Sequence, residues 1–154
     1  MKRDAVTTFV GGESVPGMAA LAGMLVLLAF VLPSQANGEQ GDKPYAGHVN
    51  CDTQPCKIDL YMTRGFRAFS QCQVCHGLDA NGSSFAPSMV EKLKEIDYAR
   101  FVEVVTNGFT GQIGVMPGWK ENPNVMKYLD QLYAYLKARS DGVVQAGKLQ
   151  RYDR

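Results

Sequence analysis

Apolar residues recur at helical spacing in four stretches of the chain, separated by two long runs of turn residues. Leu60, Tyr61, Phe66 and Phe69 give an irregular helical pattern from Leu60 to Cys72, and Gly65 leaves room there for another element to approach closely. Ser88-Met-Val-Glu91 has the form of a capping box and predicts a helix through Leu93 and Ile96. Asp97 caps the next helix, with Phe101, Val104 and Val105 as its apolar positions and Asn107-Gly108 as its stop. The last pattern is the clearest. Asn122 or Asn124 caps it, Pro123 sits near its first turn, and Val125, Met126, Leu129, Leu132, Tyr133 and Leu136 share one face. Ser140-Asp141-Gly142 ends it, and Phe66 and Tyr133 are expected to cross at Gly65, packing the first helix on the last.

Gly77 to Ser88 and Phe109 to Pro123 are rich in Gly, Asn, Ser and Pro and read as loops. No segment has a strand period, and no internal repeat stands out. Asn37 to Tyr45 reads as a flexible arm, and Val143 to Arg154 as a loose polar tail. The pattern predicts an all-α domain of three to four helices joined by loops that are long for so short a chain. Such loops usually carry function or wrap something.

The uncharged stretch from Met18 to Leu32, preceded by Lys2 and Arg3, changes this picture at one end. It is shorter than the roughly 20 apolar residues that span a bilayer and fits the apolar region of a signal peptide. Small residues at Ser34 and Ala36 suit cleavage after Ala36. Asp4 and Glu13 are less typical of a leader, and an uncleaved anchor is the alternative. The expected division is a signal peptide over 1–36, an arm with a disulfide loop over 37–59, the main domain over 60–140 and a flexible tail over 141–154. The expected destination is a bacterial periplasm, with no stable membrane insertion after cleavage. In that oxidising compartment a disulfide is the default for Cys51 and Cys56, which close a short loop.

Charge excludes one class. Lys and Arg number 16 against 15 Asp and Glu, a net charge of +1, whereas nucleic-acid binders carry a strong basic excess. With four Cys and two His, no multi-His metal centre can form.

The Cys72-Gln-Val-Cys75-His76 sequence has the spacing of a c-type haem attachment site. Two thiols on one helical turn can add to two vinyl groups of one porphyrin, and the next His then points at the iron. One covalent haem would also fill the core that so loop-rich a chain lacks. A thioredoxin-like redox pair would need a βαβ pattern, which is absent, and a zinc site would need Cys51 and Cys56 at irregular spacing. Met with His is the electron-transfer choice of axial ligands. Met62, Met89 and Met126 fall at packing positions. Met116 lies in the breaker-rich Gly114-Val-Met116-Pro-Gly-Trp119 loop, where a rigid Pro follows it. His48 would give the alternative bis-His site, although an ordinary exposed His is its simpler reading. The Pro87 carbonyl can accept from the His76 ring N–H, and Trp119 can donate to a haem propionate or simply pack.

These residues resemble class I cytochromes c over Leu60 to Arg139: the Cys72–His76 motif, Gly77, the Ala86-Pro87 loop, the Met116-Pro117 loop and the amphipathic last helix. The resemblance implies the cytochrome c fold, His76 and Met116 ligation, and electron transfer without a chemical substrate. Phe69 stands three residues before Cys72, whereas the family's helix aromatic usually stands four before, where this chain has Ala68. Cys75-His76-Gly77, Gly82-Ser-Ser-Phe-Ala-Pro-Ser88, Val105-Thr-Asn-Gly108, Val115-Met-Pro117 and Asp130 to Arg139 are also similar to a four-cysteine cytochrome c family of methanol metabolism. That family includes the partners of lanthanide-type, pyrroloquinoline quinone (PQQ)-dependent methanol dehydrogenases. The likeness implies that single electrons come from such a methanol or alcohol dehydrogenase and pass to another cytochrome c or an oxidase. The alternatives are a carrier for a different dehydrogenase and a haem enzyme or gas sensor with an open distal site. Near-zero net charge implies weak salt dependence of docking.

Overall fold

Three caps written in the sequence open three of the helices. In the computed structural model, which describes residues 43–112 and 114–152, the Asp97 carboxylate accepts from the Arg100 N–H at 2.8 Å and starts α4, Tyr98–Asn107. Ser88 accepts from Glu91 N–H and starts α3, Met89–Lys92. Asn122 accepts from the N–H groups of Asn124 and Val125 and starts α5, Pro123–Met126. A fourth cap, Asp59, accepts from Met62 N–H at 3.0 Å and starts α1, Leu60–Phe69. The remaining helices are α2, Gln73–His76, and α6, Leu129–Ser140. All these residues fall in one contact unit, Gln35–Arg154. The apolar stretch from Met18 to Leu32 and the site after Ala36 lie outside the described residues. Among those described, no helix is long and apolar enough to cross a membrane.

The architecture is mainly helical, with α1, α4 and α6 the longer helices. Helices α1 and α6 cross at Gly65, where a Cβ would lie 1.9 Å from the Gln131 carbonyl oxygen. The aromatic partners differ from the expected pair. Phe66 meets Tyr135 edge-on at 5.5 Å, and Tyr133 instead packs against Tyr98 and Phe101 from α4. Phe69 is fully buried and also reaches Tyr135, at 6.1 Å, so the aromatic shifted by one residue still makes the interhelical contact.

Three other expectations for the helices change. The helix after Ser88 stops at Lys92, because Leu93 turns toward the bridge region and Lys94 N–H bonds back three residues to Glu91. The last helical pattern breaks between α5 and α6, where Tyr128 N–H bonds to Val125 three residues back. Helix α6 is not one-faced: Leu132 through Leu136 are all buried, since α1, α3 and α4 all pack on it.

Short strands appear where no strand period could show. Strand β1, Val49–Asn50, pairs antiparallel with β2, Lys57–Ile58, and β2 pairs parallel with β5, Gln150–Arg151. Strands β3, Phe109–Thr110, and β4, Val115–Met116, form an antiparallel pair. Two residues are too few for alternation to be visible.

The described residues of the arm and tail contribute to the core rather than hanging loose. Ile58 and Val144 are buried, and Tyr45 is buried with its hydroxyl donating to Asp141 at 2.8 Å. Arg139, itself buried, donates to the carbonyls of Val144 at 2.7 Å and Asp79 at 2.9 Å. His48 is likewise engaged: it stacks on Tyr61, and its Nδ1 lies 2.7 Å from Asp59. Cys51 and Cys56 are joined in a disulfide. That bond removes both from any zinc site.

Candidate haem site

The site begins where α1 ends. Cys72 N–H bonds to Phe69 C=O and His76 N–H to Cys72 C=O, so the chain passes from α1 into the single turn of α2. That turn carries Cys72, Cys75 and His76 together. Both thiols are free, Cys72 half-buried and Cys75 exposed. Burial, with the neighbouring Cys75 second, pushes the Cys72 thiol up to about 11.

His76 is buried, and its Nδ1 lies 2.8 Å from the Pro87 carbonyl oxygen. A carbonyl can only accept, so Nδ1 carries the proton and Nε2 keeps its lone pair for a metal. The loop from Gly77 to Ser88 is folded to present that carbonyl. Gly77 and Gly82 take positive φ of 77° and 87°. Gly82 N–H bonds to the His76 carbonyl at 2.8 Å, and Ser83 Oγ donates to the Cys75 carbonyl. Ala80, fully buried with φ 63°, accepts from Met89 and Val90 N–H and ties the loop to α3. Gly82 and Ser83 stood out in the sequence only within a family-like loop segment, and their bonds to the His76 and Cys75 carbonyls were not foreseen.

Met116 lies in β4, half-buried, with Phe109 as its register partner. Two glycines bring its loop onto the C-terminal end of α4. A Cβ on Gly108 would lie 2.6 Å from the Met116 carbonyl, and one on Gly118 would lie 2.8 Å from Asn107. Trp119 N–H then bonds to the Val105 carbonyl at 2.9 Å. Cys72, Met116 and Trp119 all pack at the margin of one core.

The same segments expose large apolar side chains. Val74 is 84% exposed, Leu78 74%, Phe85 75% and Val115 73%. Among the described residues these are the four most exposed large apolar side chains, and their place on α2 and the loops after it suits an apolar group and its rim. Two thiols on one turn, an imidazole with Nε2 available, and these apolar loops together fit a covalent haem.

A family model described as cytochrome C oxidase, cbb3-type, subunit III, matches residues 62–136. Cytochrome c-555 of Methylococcus capsulatus is 36% identical over 107 residues, covering 68% of this chain and 84% of that protein. Cytochrome c-553I of Paracoccus denitrificans is 36% identical over 96 residues, covering 59% of this chain and 42% of the relative. Among solved structures, the c-type cytochrome XoxG from Methylobacterium extorquens AM1 superposes with a TM-score of 0.59 at 34% identity. That match covers 64% of this chain and 61% of XoxG. The chain belongs to the c-type cytochromes. It is a mono-haem electron carrier with covalently held haem c, and not an enzyme.

Proposed function

We propose that this cytochrome is an exported carrier that accepts single electrons from a PQQ-dependent methanol or alcohol dehydrogenase. It passes them to another cytochrome c or a terminal oxidase. Haem, when bound, supplies the one-electron couple. Cys72 and Cys75 would hold it through thioethers, His76 Nε2 and Met116 Sδ would ligate its iron, and the Trp119 indole N–H would serve a propionate.

The observation that carries this reading is the His76 Nδ1–H···O=C Pro87 hydrogen bond. It fixes the ring tautomer and direction before any metal is present, so oxidation and reduction need little movement of the ligand. The donor assignment is supported by the four-cysteine motif pattern and by the 34% identity with XoxG. Export and processing after Ala36 are supported by the Cys51–Cys56 disulfide, which suits an oxidising compartment.

Stopped-flow mixing with a reduced PQQ-dependent methanol dehydrogenase tests the donor. Rapid, second-order haem reduction is expected. Reduction by a different quinone-dependent alcohol dehydrogenase alone would keep the carrier and discard the methanol assignment.

A further inference from the structure

A groove of about 300 Å³ lies between α1 and the C-terminal segment, and no residue of α2 or of the Gly77–Ser88 loop lines it. Phe66 and Arg67 form one wall, and Lys148, Leu149 and Arg151 the other. We propose that this groove is a second docking surface that receives a carboxylate-bearing segment of a protein partner. The proposal deepens the carrier reading, since a carrier must distinguish a donor from an acceptor.

The argument is one of charge placement. Across α3 and α4 the cations are neutralised locally: Lys92 pairs with Glu95, Lys94 with Glu91 and Arg100 with Glu103. Lys137 pairs with Asp141. Among the described residues, Arg67, Lys148 and Arg151 form no ion pair, and all three are exposed. Two carboxylates stand close by, and neither pairs with these three cations. Asp79 accepts from the Gly147 N–H at 2.9 Å, and Asp59 caps α1 while facing His48. A net charge of +1 therefore hides a local cationic surface.

The shape selects the ligand class. A small-anion site would gather buried donors on one point. Here three exposed cations line the groove together with half-buried Phe66 and Leu149. That mixture of charge and apolar surface matches an acidic segment with apolar side chains of its own.

Calorimetric titration of the oxidised, haem-loaded full chain with a synthetic peptide of alternating Glu and Leu tests this. Binding that weakens as salt rises is expected, and R67Q/R151Q should weaken it about tenfold. K92Q/K94Q, which touches only locally paired cations, should leave it unchanged. R151Q alone serves if the double variant does not fold, with a weakening of about threefold expected. Four results would overturn the proposal: no peptide binding, binding that R151Q does not weaken, inorganic phosphate binding as tightly as the peptide, or phosphatidylglycerol vesicles binding in place of the peptide. No electron donor enters this titration, so failure of the methanol dehydrogenase assignment leaves its result intact.

Discussion

Gly65 and Gln131 meet backbone to backbone, with the place of a Gly65 Cβ only 1.9 Å from the Gln131 carbonyl oxygen. This contact sets the distance between α1, which leads into the haem-binding turn, and α6, which carries the centre of the core. Gly65→Ala gains roughly 1 kcal/mol in helix propensity. It also forces two helices apart against a rigid carbonyl, so the steric term wins. A net loss of about 3 kcal/mol is expected in urea unfolding followed by circular dichroism. A variant as stable as the parent would mean that the crossing is looser than described.

Gly82 offers a test of the His76–Pro87 bond that leaves both partners in place. Its φ is +87°, and a Cβ there would lie 2.6 Å from Ser88 N. Gly82→Ala must shift the Pro87 carbonyl away from His76. A weaker bond makes the imidazole a poorer donor to iron and destabilises the oxidised state. Potentiometric titration should therefore show a higher reduction potential, with the helical content retained. An unchanged potential in a folded variant would remove Pro87 from the tuning of the site.

Stability should fall at alkaline pH through three tyrosines. Tyr45 is pushed up to about 12, by burial first and then by its hydrogen bond to Asp141. Tyr98 rises to about 12 through its hydrogen bond to Asp130 first and burial second, and Tyr135 to about 12 through burial. A raised folded-state pKa means stability that is complete below the ordinary value of 10.0 and is lost as pH rises toward about 12. The urea midpoint should drop over that window, and the drop should be smaller in Y45F/Y98F. A midpoint independent of pH there would contradict these contacts.

Much of the site was legible because it is local. The Cys72–His76 spacing fits within one helical turn, and the caps at Ser88, Asp97 and Asn122 act over two or three residues. The reach of His76 to the Pro87 carbonyl was legible only as a spacing, and the loop that makes it depends on two positive-φ glycines. What depends on distant partners was not legible. Tyr45 looked like part of an arm until Asp141 supplied its acceptor, and Val144 looked like tail until Arg139 held its carbonyl. Helix α6 read as one-faced because periodicity does not report how many neighbours surround a helix. The groove was hidden for a related reason: a net charge averages over paired and unpaired cations.

The central claim is a covalent haem held between His76 and Met116, and the spectrum of the oxidised protein tests it most directly. The parent should show the methionine–iron charge-transfer band, and its reduced form should resist carbon monoxide. Met116→Ala should lose the band and bind carbon monoxide readily. A parent protein that lacks the band and takes up carbon monoxide as readily as the variant would contradict the account.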